Sequence, residues 1–382
     1  MRRLFWLVAI VVLVDTMFFA AVAPLLPHYT EELDLSKTGA GILTAAYPAG
    51  TFTGALPSGW LAARWGVKPT LLLGLGLLGF SSLGFAFAND MLLLGAARFL
   101  QGVGGACMWA AGMSWLASAA PPERRGELFG AALSAAIVGV LLGPVLGGAA
   151  TVVSPEAVFS TVAVGAGLLA VWASTMPGVE PEPSPGVGTM LRALRRPAVL
   201  LGFWVFTIPA LFTGVVEVLV PLRMDEFGAA GTTIGAAFLV AAAFEAVISP
   251  AAGRFSDRAG RIAPIRAGLV GAAVMAVVLP LPGSTLALAA AMIALICTLA
   301  VFWAPGMALL SEAAEKAGLD QALAFAISNF GWAAGHLVGA GAGAALADAT
   351  TDAVPYGLLA VASAGTLILL RAAQRAVVPA TS

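Results

Sequence analysis

Five ionisable side chains lie far inside long apolar runs: Asp15, Arg98, Glu217, Glu245 and His336. An aspartate at the centre of a bilayer costs roughly 2.5 to 3.5 kcal/mol on insertion scales, so such groups face a protein interior and mark ion or substrate paths. Asp15 is the one ionisable residue between Leu4 and Leu26. It stands about eleven residues into its run, roughly 16 Å deep at 1.5 Å per residue. Phe18 and Phe19 follow at i+3 and i+4, on the same helical face. An anion flanked by rings suits an amphipathic ammonium, which both attract. Glu217 stands one turn before Pro221 with Thr213 on its face, and Glu245 has Ser249 one turn on and Ala241 one turn back. A carboxyl sealed in apolar surroundings favours its neutral form, and a wetted one its ionised form. A proton-coupling group needs that behaviour. The expected chemistry is competition: a cation binds the ionised carboxylates, and a proton from the other side displaces it. The alternative is that the acids pair with polar neighbours or with Arg98 and only fix packing. Imidazole can both accept and donate a proton, so His336 suits a proton relay or, alternatively, a hydrogen-bonded packing role.

The elements that must position these groups are membrane spans. The chain has 382 residues, is 60% hydrophobic and is only 10% charged, against about 25% charged for a soluble domain. Runs of about 20 apolar residues cover 4–28, 39–62, 69–88, 91–119, 127–152, 156–176, 197–221, 231–252, 264–282, 284–309, 320–347 and 352–371. The run at 264–282 is the weakest, being bounded by proline and marginal in length. Backbone polar groups cannot stay unpaired in lipid, so all twelve are expected to be helices. A net charge of −1 argues against a nucleic-acid partner. Cys107 and Cys297 are both in apolar stretches, where reactive thiolates are disfavoured, and no metal-binding cluster stands out. Arg2, Arg3, an apolar core and "AVA" at 21–23 imitate a secretory signal. Asp15, Pro24 and the repeat described next favour a retained first span.

Sixteen of the 19 lysines and arginines fall in alternate loops and at the termini, leaving Lys37 and Arg223 opposite and Arg98 within a span. That bias places both termini in the cytoplasm. "GWLAARWGV" (59–67) and "GRFSDRAGR" (253–261) are 194 residues apart, and the same offset pairs Phe18 with Phe212, Leu25 with Leu219 and Pro27 with Pro221. The chain reads as an all-α membrane protein of two six-helix halves related by pseudo-two-fold symmetry, 1–176 and 197–382. A cytoplasmic linker at 177–196 begins with the Pro- and Gly-rich "PGVEPEPSPGVG", whose composition suits a spacer. Parallel repeats about an axis along the membrane normal are a transporter architecture with a central site between halves.

Three motifs sharpen this. The loop signature G-x-x-x-D-R-x-G-R is complete at Gly253, Asp257, Arg258, Gly260 and Arg261. It is degraded at Gly59, Arg64 and Gly66, with Ala63 and Val67 in place of the aspartate and last arginine. Arg98, Gln101, Gly102 and Gly104 form R-x-x-Q-G-x-G, and Gly139, Gly143, Pro144, Gly147 and Gly148 form G-x-x-x-G-P-x-x-G-G. The chain thereby resembles the major facilitator superfamily, specifically its twelve-helix drug/proton antiporter branch. "DTMFFAAVAPLLPHY" (15–29) and "EVLVPLRM" (217–224) are similar to the first and seventh helices of vesicular amine transporters and their bacterial relatives. Asn329 stands where the eleventh-helix acid of those proteins lies, and Tyr47 lies in the second helix, which carries no lysine.

The resemblance implies a proton-coupled antiporter exporting lipophilic organic cations, amines or drugs by alternating access. It would act as a monomer in the cell membrane, with protons as the coupling ion and no cofactor or metal. It ties Arg98 to proton movement; ion-pair or carbonyl contacts near the cytoplasmic half are the alternative. The four-residue spacing of Gly139, Gly143 and Gly147 gives a smooth face for close helix approach, with a kink at Pro144. The two arginine loops would latch the cytoplasmic side, with Asp257 capping a helix or meeting an arginine. Trp109, Trp204, Trp303, Phe330 and Trp332 all fall in spans, and a subset is expected to line a cavity. The competing reading is a permease for a neutral or anionic metabolite such as a sugar or organic acid. Arg98 is then the sole candidate anion site, and three tyrosines are few for a sugar path. Two histidines in separate halves and no paired acidic motif argue against an enzyme.

Overall fold

A computed structural model describes residues 2–119, 125–179, 192–193, 195–318 and 321–377, with the backbone alone at 117, 125–131, 133, 257, 321–326 and 372–377. Every regular element among them is an α-helix. The helices are α1 (Arg2–Ala20), α2 (Val22–Glu32), α3 (Lys37–Trp65), α4 (Val67–Ala86), α5 (Met91–Ala119), α6 (Arg125–Val152), α7 (Pro155–Ser174), α8 (Pro197–Glu226), α9 (Gly231–Ala259), α10 (Ile262–Val278), α11 (Thr285–Lys316), α12 (Gln321–Ala349) and α13 (Ala353–Val377). Most of the linker expected at 177–196 lies outside the described residues.

The first apolar run, expected as one helix over 4–28, breaks at Ala21 and continues to Glu32. Pro24 is the cause. It has no N–H to donate, and its ring crowds the carbonyl four residues back, at Ala20, where α1 stops. Counting α1 and α2 as one span gives twelve. Nine of these, among the described residues, are apolar and long enough on their own to cross a membrane. The run expected to be weakest is α10, with 17 residues.

Helix starts at the end of the bundle away from the termini are capped by side chains. Ser36, Ser154 and Ser284 accept from the N–H groups of Gly39, Ala157 and Ala287, and Asp90 accepts from Leu93 at 2.8 Å. Each satisfies an otherwise orphaned donor. At the terminal end, α3 stops on Gly66 and α9 on Gly260, with φ of 95° and 85°. Only glycine enters that region without steric cost. These two stops are 194 residues apart, so the repeat extends to the chain reversals.

The halves are built alike. In the first, α1 packs on α6, α3 on α5, and α4 on both α5 and α7; in the second, α8 packs on α12, α9 on α11, and α10 on both α11 and α13. Gly139, Gly143 and Gly147 of α6 face the backbone at Leu13, Met17 and Ala21, where any side chain would strike a main-chain carbonyl. The second half uses Gly331, Gly335, Gly339 and Gly343 of α12 against Phe203, Thr207, Leu211 and Val215 of α8. Both ladders advance four residues at a time, so helix axes approach closely along a full face.

Between the halves, α3 packs on α12 and α6 on α9. Near the end away from the termini, Lys37 bonds Asp352 at 2.8 Å and lies 3.7 Å from Glu226. Arg223 reaches the other Asp352 oxygen at 3.5 Å. Thr38 donates to Asp348 from its hydroxyl at 2.6 Å and its amide at 3.2 Å. The two cations that departed from the charge bias are thus both engaged by Asp352.

Candidate functional site

Asp15 is fully buried on α1. Its Oδ2 accepts from the Tyr47 hydroxyl and the Trp109 indole N–H, each at 3.2 Å. Its Oδ1 has no partner. Gly105 makes room for this arrangement: a methyl group there would come within 3.1 and 3.2 Å of the two carboxylate oxygens and 2.9 Å of the Tyr47 oxygen. One helix thus supplies the acid, α3 the phenol, and α5 both the indole and the gap.

Arg98 is 1% exposed and makes no ion pair with Asp15. Its Nη1 donates to Gln101 Oε1 at 2.6 Å, and its Nη2 to the Phe19 carbonyl at 3.5 Å. The guanidinium lies over the rings of Tyr47 and Phe19, 5.1 and 5.8 Å from their centroids. These contacts place it early in α5, on the side away from the termini, and not in the half where ion-pair or carbonyl contacts were the sequence alternative. Arg98 Nε and Gln101 Nε2 are buried without partners. Each unmet buried donor or acceptor costs about 1–3 kcal/mol.

Phe19, Tyr47, Trp332 and His336 form one aromatic group spanning both halves. Phe19 lies 4.8 Å from Tyr47 and 5.4 Å from both Trp332 and His336, centroid to centroid. Trp332 and His336 are 5.1 Å apart. One turn below, Phe52 of α3 stacks on Phe330 of α12 at 4.2 Å. Phe18 corrects the sequence reading. It is fully buried against Phe85 and Phe159, at 5.8 and 5.0 Å, inside the first half. Successive helical residues point about 100° apart, so only Phe19 can face the partner half.

On the second half, Glu217 Oε2 meets His336 Nε2 at 3.0 Å. The far ring nitrogen, Nδ1, lies 3.4 Å from the Thr213 hydroxyl. His336 is 1% exposed and the Glu217 side chain 22%. Glu245, half-buried on α9, is near enough to Glu217 for the two charges to interact. Asn329 shares the α12 face of Trp332 and His336, about one turn from the first and two from the second, toward the terminal end. It is half-buried there.

Among the motif residues, Gly102 packs its backbone on the Tyr47 carbonyl, so its role is close contact between α3 and α5. Arg64 lies over Trp60 at 5.6 Å, and Gly59 has open space around it. Gly253 faces Ala304 at 3.5 Å, and Arg258 is exposed. Arg261 pairs with Glu312 of α11 at 2.9 Å and reaches Ser256 at 3.3 Å. The side chain of Asp257 lies outside the described residues. Pro144 offers its carbonyl beside Gly235, a contact between halves. Of the candidate aromatics, Trp109 and Trp332 join the central group. Trp204 instead donates to Thr366 at 2.9 Å, and Trp303 packs on Phe206.

Sequence reasoning did not find Gly105, nor Tyr47 and Trp109 as the donors to Asp15. Gly105 carried a faint signal as the odd glycine in "QGVGG". The glycine ladder of α12 carried a clear one in its four-residue spacing.

A family model described as Major Facilitator Superfamily matches residues 8–222 and again 210–381. The human synaptic vesicular amine transporter is 28% identical over 173 residues, 44% of this chain and 34% of that protein. The class D tetracycline resistance protein of Salmonella ordonez is 28% identical over 286 residues, 69% of this chain and 72% of that one. The match spans about a third of the length of the first curated relatives. The crystal structure of a D-xylose-proton symporter superposes with a TM-score of 0.75 at 18% identity, covering 96% of each chain. That likeness is one of fold.

Proposed function

Because this chain belongs to the Major Facilitator Superfamily, and is thus a multi-pass membrane transporter rather than an enzyme, we propose that it is a proton-coupled antiporter exporting lipophilic organic cations or amines. The observation that carries this reading is Asp15: a fully buried carboxylate with one oxygen unpartnered, next to rings that attract cations. A guest ammonium would take the free oxygen and lie against Phe19, Tyr47 and Trp332. A proton bound by the acids of the site would remove the negative charge and release the guest. Contacts at the end away from the termini hold that side shut, which with the charge bias of the loops makes it the outer side. Both termini are then cytoplasmic, the cell membrane is the location, and a single chain contains every group invoked.

The test is transport of tetraphenylphosphonium into proteoliposomes under an imposed proton gradient. Uptake that follows the gradient and is lost in D15N is the expected result. Uptake indifferent to the gradient, or equal in wild type and D15N, sinks the reading. A second reading, transport of an organic anion or neutral metabolite, is favoured by the unmet donors of Arg98 and Gln101. It predicts displacement of bound probe by carboxylates, with the effect lost in Q101L.

A further inference from the structure

We infer that Glu217 and His336 together form a one-proton site whose occupancy controls cation binding through shared aromatic rings. This rests on the antiport reading above and adds which groups hold the proton and how it excludes the guest. The Thr213 hydroxyl donates to the Ala210 carbonyl at 3.0 Å. With its hydrogen on that carbonyl it has only lone pairs to offer His336 Nδ1, and in that arrangement Nδ1 is the donor across the 3.4 Å contact. With Nδ1 fixed as donor, the 3.0 Å gap between Nε2 and Glu217 holds a single hydrogen. The pair is imidazolium with carboxylate, or neutral imidazole with carboxylic acid. Either form is neutral overall; loss of that hydrogen leaves a net negative charge.

The imidazole is also part of the cation-binding surface. Its ring touches Phe19 and Trp332, and Phe19 already faces the Arg98 guanidinium on another side. When His336 is an imidazolium, two cations draw on Phe19 and one on Trp332, leaving less attraction for a third. When the proton leaves, the rings are released and a negative charge appears beside them. Cation and proton thus compete without ever sharing a carboxylate: the guest sits at Asp15 in one half and the proton in the other. Rings from both halves join the two sites. The other charged groups that reach Glu217 are Glu245 from α9 and Arg98 from α5. Tyr47 from α3 and Phe19 from α1 complete the surroundings.

The chain has two histidines, and His28 is an exposed partner of Glu32 on α2, remote from this pair. The H28Q protein, labelled with ¹⁵N-histidine in lipid bilayers, reports His336 alone. The expected spectrum shows a hydrogen on Nδ1 at every pH and a titration that moves in E217Q. Tetraphenylphosphonium, which carries no titratable proton, is then bound across pH and followed by tryptophan quenching. Affinity in wild type should rise up to ten-fold per pH unit as the pair loses its proton, the limit for one linked proton. That slope should flatten in H336Q and in E217Q, with monodispersity on gel filtration confirming the fold. A hydrogen on Nε2 with Nδ1 bare, or a wild-type pH slope in either variant, overturns the pair. A probe that binds at no pH, with the spectrum as expected, overturns the cation reading and leaves the proton site standing.

Discussion

In the first half a carboxylate stands at Asp15 and a cation at Arg98; 194 residues on, those positions hold Pro209 and Met292. In the second half Glu217 and His336 stand where the first has Ala23 and Leu142. The packing residues behave differently. Phe18 and Phe212 are both fully buried, and Gly66 and Gly260 both end helices with positive φ. Backbone shape is copied whenever a segment is duplicated, because it depends on nearby small and kinking residues. A buried charge instead requires donors drawn from several helices, so each one is particular to its place. The result is one acid-centred cluster per half, differently built and joined by rings.

The largest test of this division is D15N, which removes a charge that has no counterpart in the other half. Cation affinity should fall at least about 100-fold, roughly 2.7 kcal/mol at 1.4 kcal/mol per decade, measured by tryptophan quenching. Affinity within two-fold of wild type would show that the second half alone suffices. Next comes G105A, since the second half has the bulky Leu299 at that position. The added methyl would crowd the Asp15 oxygens and the Tyr47 hydroxyl, and overpacking of this kind costs about 1–3 kcal/mol. A thermal unfolding scan should show that loss without probe, and a smaller upward shift on adding probe than in wild type.

Phe18 and Phe19 split packing from binding. F18L should lower thermal stability by about 1–2 kcal/mol, as losing part of a buried ring in the core does, and leave affinity unchanged. F19L should weaken the probe by about 0.5–2 kcal/mol, the range of a cation–ring contact, with little change in melting. If both variants behave alike, Phe18 is not the dry residue described above.

The smallest effects concern the latches. R261V imposes the first half's Val67 on the second and removes the pair with Glu312. Such partly exposed pairs are worth about 0–1 kcal/mol, and the double change V67R with S118E should return a similar amount to the first half. At the opposite end, hydrogen bonds from Thr38 and Ser36 hold the Asp348 carboxyl below the usual carboxylate range. A depressed value means its contribution is complete above the ordinary carboxylate value of about 3.9 and fades only as pH falls further. Crosslinking across α3 and α12 should therefore stay constant from neutral pH to about 5, and T38V should weaken it at every pH.

Much of this was legible in the residues because a bilayer is a severe solvent. It demands apolar runs of set length and makes each ionisable intruder conspicuous, so the spans, the duplication and Asp15, Glu217 and His336 could be read directly. The bend at Ala21 was written in Pro24 but not drawn from it. What failed was direction. In a soluble helix the polar face reveals which side is buried; around Asp15 every face is apolar, and Phe18 could not be told from Phe19. Likewise nothing local announces that Trp109 and Tyr47 both turn to one carboxylate oxygen, or that Glu217 and His336, 119 residues apart, share a hydrogen.

The sequence by itself determined how many times the chain crosses, how its halves correspond and which groups are too costly to be ornamental, since transfer out of water acts on each residue type wherever it falls. Tertiary structure alone decided which of those groups meet. Hydrogen bonds and ring contacts act over a few ångströms, and that proximity is created only when helices from distant parts of the chain pack along their glycine faces.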